Sequence, residues 1–168
     1  MNPLNLIRQF IKGLVKENEP WQIGLGIAFG FWLGIIPKNN LTAQLLFVIM
    51  MCTKANLPFA ILSIFFFSAF SPLTDKIADP VGYLILSSDF LYPLFLKLYN
   101  MPVVPWTDFN NTAVMGGFIC GAALFFPVYM AGRKFGKIYN GTFKDKISNS
   151  RVAKMLSGNF LLSWYFRD

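Results

Sequence analysis

The chain has 168 residues, enough for one domain, and 55% of them are apolar, 17% aromatic and only 14% charged, where a soluble domain carries roughly a quarter charged. It contains no histidine, which removes the commonest general base and metal ligand, and its two cysteines, Cys52 and Cys120, lie in apolar runs without ligand spacing and read as packing residues. The net charge of +7 is concentrated toward the two ends, a pattern that membrane topology and anionic lipid explain without nucleic acid.

Residues 1–19 place Leu4, Ile7, Ile11, Leu14 and Val15 at helical spacing, with Arg8, Lys12 and Lys16 on other faces. This predicts an amphipathic helix lying on the cytoplasmic membrane surface. It lacks the apolar run and small-residue cleavage site of a signal peptide. Pro20 ends this segment and can open the next helix at its first turn.

From 21 to 70 three apolar runs follow, about 21–36, 41–53 and 57–70, parted by Pro37-Lys38-Asn39-Asn40 and Lys54-Ala55-Asn56. As helices they span roughly 20–24 Å each, short of a hydrocarbon core of about 30 Å. Short apolar helices broken by Pro and Asn suit discontinuous or re-entrant segments, whose free ends face protein or a watery cavity. Gly26, Gly30 and Gly34 form a small-residue ridge that lets a second helix approach closely, either within the chain or from a partner. The Gly24-Leu25-Gly26 run has no preceding strand and no following acidic residue at nucleotide-fold distance, so it reads as helix packing.

The break at Pro37 has two readings. One is a polar loop at the membrane surface. The other is a hairpin tip within the membrane, with Lys38, Asn39, Asn40, Thr42 and Gln44 turned toward a cavity; ionisable groups at that depth are costly and usually functional. The break at Lys54 reads as a surface loop.

Prolines 72 and 80 and aspartates 75 and 79 are expected to end the third helix and mark an interface. Residues 81–100 are apolar but interrupted by Ser87-Ser88-Asp89, Pro93 and Lys97, which predicts interfacial helices in place of a clean span. Residues 101–111 read as an extended Pro-rich loop, with Trp106 and Phe109 suited to headgroup level. The run 112–131 is a full-length span without charge, and Gly117 and Gly121 give it a second small-residue face. A basic, amphipathic tail, 132–168, follows.

The N-terminal flank carries Arg8, Lys12 and Lys16, and eight basic residues follow the last span, whereas 71–111 holds four aspartates against Lys76 and Lys97. The positive-inside rule then puts both termini in the cytoplasm, 71–111 outside, and an even number of crossings between them. Either four helices cross (21–36, 41–53, 57–70 and 112–130), or the first pair is a re-entrant hairpin and the last two cross. The expected fold is therefore all-α: a polytopic membrane domain over 20–131 with amphipathic helices at 1–19 and 132–168.

Several local elements occur together. They are Glu19-Pro20, the Gly/Ala-rich helix from Gly24 to Gly34, Gly34-Ile35-Ile36-Pro37, Asn56-Leu57-Pro58 and Ser71-Pro72-Leu73-Thr74. In this combination the chain, over roughly residues 3–140, resembles a family of small bacterial inner-membrane proteins known only as a domain of unknown function. Pro37-Lys38-Asn39-Asn40, Leu98-Tyr99-Asn100 with Pro102 and Pro105-Trp106, and Phe109-Asn110-Asn111-Thr112 with Val114-Met115-Gly116 resemble a narrower subfamily. Ser71 departs from the Asn often found there. The resemblance implies no activity; for the narrower group it implies a larger envelope partner with a long periplasmic part.

With no histidine, nucleophile elbow, paired carboxylates or phosphate loop, an enzyme is not expected, and neither is a cofactor or metal. Three alternatives stay open: a membrane subunit that handles lipid with a larger partner, a stand-alone transporter or flippase for an anionic lipid or small solute, and a structural anchor. Membrane lipids are the expected ligands, and self-association is left open.

Overall fold

The computed structural model describes residues 19–143 together with Phe10, Gly13 and Leu14. The predicted surface helix over 1–19 and the basic tail over 132–168 therefore lie largely outside the described residues. Among the described residues the fold is all-α, without a strand.

From Pro20 to Phe143 the α-helices are, in order, α1 Pro20–Ile35, α2 Leu41–Met51, α3 Leu57–Ala69, α4 Ser71–Leu86, α5 Tyr92–Tyr99 and α6 Thr112–Ile138. A 3-10 turn, Val104–Thr107, precedes α6, and a π turn, Tyr139–Phe143, follows it. Local chemistry sets the boundaries. Pro20 occupies the first turn of α1, and the Glu19 amide donates to Gln22 Oε1 at 3.2 Å. Asn40, Asn56 and Asn111 each cap a helix by accepting from a backbone N–H two or three residues on: Ala43 (2.8 Å), Phe59 (3.1 Å) and Ala113 (2.9 Å).

Helix α1 is the central strut. Its Gly26, Gly30 and Gly34 face α3, meeting in turn Asn56 and Ala60, Ala60 and Ser63, then Ile64 and Phe67. The numbers rise together, so α1 and α3 run parallel, with α2 returning between them. On another side of α1, Gly117 of α6 meets Ile35 and Ile36, Gly121 meets Trp32, Gly132 meets Gly24, and Gly136 meets Pro20. Here the numbers run oppositely, so α6 is antiparallel to α1. Gly82 of α4 and Gly116 of α6 meet each other's helices. Glycine at these crossings removes the Cβ that would hold the backbones apart.

The core lies where α1, α2, α3 and α6 meet: Phe29, Leu33, Ile36, Leu46, Met50, Ala60 and Val114. Edge-to-face ring pairs lock it, Phe29 on Phe125 and Phe31 on Phe67, each with centroids 4.9 Å apart. Trp32 Nε1 donates to the Phe118 carbonyl at 3.1 Å and ties α1 to α6.

Three expectations are corrected. The third helix ends where expected, at Ala69, but prolines 72 and 80 do not keep the next segment from being helical: Pro72 sits in the first turn of α4, where its missing N–H costs nothing. Pro80 lies inside α4, which stays continuous to Leu86. The axis turns by 79° between α3 and α4. Residues 101–111 are not simply extended, because Val104–Thr107 closes a 3-10 turn. Cys52 is not a packed residue; it caps the C-terminus of α2 and is exposed.

The helical stretch Thr112–Thr142 is long and apolar enough to cross a membrane, and only 22% of its apolar window is buried inside the protein. The bent pair Leu57–Ala69 and Ser71–Leu86 passes the same test when taken together. Helices α1 and α2 have 16 and 11 residues, about 24 and 16 Å, too short for a full crossing without tilt or local thinning.

Candidate functional site

The site forms where the C-terminal end of α1, the first turns of α2, and α3 come together. α1 stops at Ile35 because Pro37, two residues on, disfavours helix before it. That leaves the last carbonyls of α1 without intrahelical donors. Lys38 reaches back and donates from Nζ to the Gly34 carbonyl at 2.7 Å, and Ser68 Oγ of α3 points at the same oxygen at 3.4 Å. A cation at a helix C-terminus also meets the negative end of the helix dipole.

Lys38 sits at the head of an open cleft of about 400 Å³. Leu33, Phe47, Val48 and Ile64 form its walls, and Lys38 and Gln44 supply its polar groups. α2 scarcely touches α3, so the gap between them stays open to the side. An ammonium carries three N–H donors; one is spent on Gly34, which leaves two for an anionic group in the cleft. An apolar trough with a cation and an amide at one end is complementary to an anionic amphiphile.

The five polar residues singled out from the sequence separate into different roles. Lys38 and Gln44 share the cleft. Asn39 is exposed beside it. Asn40 is 3% exposed and committed to structure: it caps α2, and its Nδ2 donates to the Pro37 carbonyl at 2.6 Å. Thr42 donates to the Thr107 carbonyl at 2.7 Å, which ties α2 to the 3-10 turn. Asn40 is therefore not turned toward a cavity, because the tight turn after Pro37 needs its side chain as a cap. Gly26, Gly30, Gly34, Gly117 and Gly121 all contact helices of this same chain, so none of those faces is left for a partner helix. Asn56, in the second break, is buried, and its backbone N–H donates to the Gln22 carbonyl at 2.9 Å.

Some residues near the site were not assigned to it from the sequence, which read aspartates 75 and 79 as interface markers. Asp75 of α4 is the charge acting on Lys38, and Asp79 acts in turn on Asp75. One oxygen of Asp75, Oδ1, is shielded and accepts no hydrogen bond among the described residues. The sign is right for a counter-ion, and the i, i+4 spacing of Asp75 and Asp79 places both on one face of α4. Only the bend after α3 brings that face toward Lys38. The cleft walls Leu33, Phe47, Val48 and Ile64 carried no signal beyond being apolar. Gly132 and Gly136 could have been found as a second small-xxx-small pair, although the return of charge at Arg133 hides it.

Charge also separates by end. The starts of α1 and α3 and the end of α6 lie together, since Gly136 meets Pro20 and Asn56 bonds to Gln22. Lys54, Arg133, Lys134 and Lys137 belong to this end. Residues 36–40, the start of α4 and the segment before α6 lie at the other, where Asp75, Asp79 and Asp108 accompany Lys38 and Lys76, so this end is close to neutral while the first, with Glu19 its acidic residue, is basic.

Among the described residues the fold and the site define an all-α protein with one helix, or two if the bent pair α3–α4 forms one span, long and apolar enough to cross a membrane, and a lysine at the head of an apolar cleft. No family model matches the chain, and no solved structure matches it. It is similar to an uncharacterised protein of Treponema pallidum (strain Nichols), 26% identical over 141 residues, which make up 84% of this chain and 87% of that protein.

Proposed function

We propose that this protein is a non-enzymatic inner-membrane subunit that handles an anionic lipid, working with a larger envelope partner. The observation that carries this reading is the cleft: Lys38 and Gln44 at its head, Leu33, Phe47, Val48 and Ile64 along it, and a lateral opening between α2 and α3. A phosphate at the head would take the free N–H groups of Lys38 in charge-assisted hydrogen bonds, while an acyl chain lies along the apolar walls. The short helices α1 and α2 would thin the bilayer beside the cleft and ease entry of a lipid from one leaflet. Asp75 would hold Lys38 in place when no lipid is bound.

The multi-pass arrangement with both termini in the cytoplasm belongs to the same proposal. It is supported by the excess of basic residues at one end, Lys54, Arg133, Lys134 and Lys137, against a near balance of Asp75, Asp79 and Asp108 with Lys38 and Lys76 at the other. The partner is proposed from the resemblance of the Pro-Lys-Asn-Asn and Phe-Asn-Asn-Thr elements and from broad exposed apolar faces on α2 and α3, such as Phe47, Phe65 and Phe66. A second reading, a stand-alone flippase, is favoured by one feature: the broken ends of α1 and α3 converge near two opposite charges, Lys38 and Asp75, as broken helices do at transporter substrate sites.

Native mass spectrometry of the protein released from its own membrane tests the proposal. The expected result is retained anionic phospholipid, most of it lost in Lys38→Ala and kept in Lys97→Ala, together with a copurifying larger chain. Retained lipid without any partner chain would favour the flippase reading. If neither lipid nor partner appears, and Lys38→Ala leaves the cell envelope normal, lipid handling is refuted.

A further inference from the structure

On the opposite side of α2 from the lysine-headed cleft lies a second cavity of about 470 Å³. That is within the range of about 300–1,000 Å³ of small-molecule sites. Its walls come from α2 (Leu46), α5 (Phe95, Leu98), the segment before α6 (Phe109) and α6 itself (Met115, Ile119). The polar side chains on its lining, Thr42 and Thr107, both have their hydroxyls engaged: Thr42 donates to the Thr107 carbonyl at 2.7 Å and Thr107 to the Val104 carbonyl at 2.6 Å. The cavity thus offers no free donor or charge to a headgroup. Its rim is formed partly by Leu45 and Ile49, both about half exposed on the outer apolar face of α2. The opening is continuous with the surface that the membrane reading puts against lipid.

The cover over this cavity is lightly attached. Residues 92–111 lie across it, joined to α2 by the Thr42–Thr107 bond and closed on themselves by Phe95 against Phe109, ring centroids 5.9 Å apart. Val103 and Asp108, on either side of the 3-10 turn, have φ of 74° and 54°. A β-branched residue at positive φ is an outlier that its surroundings must hold in place.

We propose that this cavity is a binding site for a single hydrocarbon chain, the acyl tail of a lipid or a free fatty acid, under a cover formed by residues 92–111. The lining favours an apolar ligand, since its two hydroxyl donors are already spent and no charged group faces in, and it requires nothing of Lys38. The inference rests on the membrane reading but not on the headgroup site.

The test uses the full-length protein in phosphatidylcholine nanodiscs and a palmitic acid bearing a diazirine at mid-chain. After photolysis, peptide mapping should find the label on Leu46, Met115 or Ile119, and excess unlabelled palmitate should compete it away. Filling the cavity from two separate walls, Ile119→Trp and Leu98→Trp, should each abolish most of that label while label on outward-facing Phe65 and Phe66 persists. Competition in the unmodified protein keeps the test decisive if either variant fails to fold. Lys38→Ala should leave cavity labelling unchanged even where it removes bound phospholipid, which separates this site from the headgroup site. Repeated in detergent micelles, where phosphatidylcholine can be added or left out, competition by palmitate but not by the phospholipid identifies the free acid as occupant, and competition by both identifies the lipid tail. Label spread evenly over the apolar surface, without saturation, overturns the proposal.

Discussion

At the scale of single residues, side chains of similar polarity have separate tasks. Asn39 and Asn40 are neighbours, yet only Asn40 is buried and bonded. Asn40→Ala removes the cap of α2 and leaves the Pro37 carbonyl without its donor. We expect it to lower stability by about 1 kcal/mol, the usual cost of a lost N-cap. Asn39→Ala should cost almost nothing. Thermal unfolding of both variants in the same detergent distinguishes them, and equal melting temperatures would remove the capping role. Lys38 differs from both: it is exposed and donates to the Gly34 carbonyl, so its substitution should reduce lipid retention more than folding.

At the scale of helices, close approach is the governing quantity. A Cβ on Gly30 would stand 2.5 Å from the Ala60 carbonyl oxygen and from Ser63 Cβ. The obstructing oxygen is backbone and cannot swing aside. Gly30→Leu should therefore separate α1 from α3 and cost about 1–3 kcal/mol by overpacking. Gly141, in the π turn, has open space around it, and Gly141→Leu should be tolerated. Size-exclusion profiles after a heating series would show the contrast; equal survival would mean that the α1–α3 contact yields more easily than its geometry implies. Because the cleft is bounded by these two helices, Gly30→Leu should also impair lipid retention without touching a cleft side chain.

At the scale of the whole molecule, the topology is a consequence of the two parallel helices and one antiparallel one. The start of α1 and the end of α6 lie side by side, and Tyr139 OH donates to the Leu14 carbonyl at 3.2 Å. The start of α1 and the basic end of α6, with Arg133, Lys134 and Lys137, thus lie at one end of the bundle. If that end is cytoplasmic, a reporter fused after residue 168 should be active in the cytoplasm. A reporter inserted between Ser87 and Ser88, beyond α4, should be active in the periplasm. Both reporters on the same side would break the proposed arrangement, whichever of the four-crossing and re-entrant schemes applies to α1 and α2.

The order of amino acids by itself determined what depends on near neighbours. Prolines and asparagines at 20, 37, 40, 56 and 111 set helix starts and stops, because capping and a missing N–H act within one turn. Apolar runs and small-residue spacing announced helices that pack closely, while the placement of Lys and Arg raised the expectation that both termini share the cytoplasmic side, which the reporter fusions test. What only the tertiary structure decided is which surfaces meet. A glycine ridge is equally receptive to any smooth helix, so nothing local assigns Gly26, Gly30 and Gly34 to α3 and Gly117 and Gly121 to α1. The prolines at 72 and 80 suggested an end to helix, yet α4 is continuous, since proline is neutral in a first turn and neighbouring helices can support an interior one. The 79° bend that follows α3 brings the α4 aspartates toward Lys38. Cavities are decided last of all: the lysine-headed cleft and the covered pocket exist because α2 packs loosely between α3 and the segment before α6, and the space between helices belongs to no single stretch of sequence.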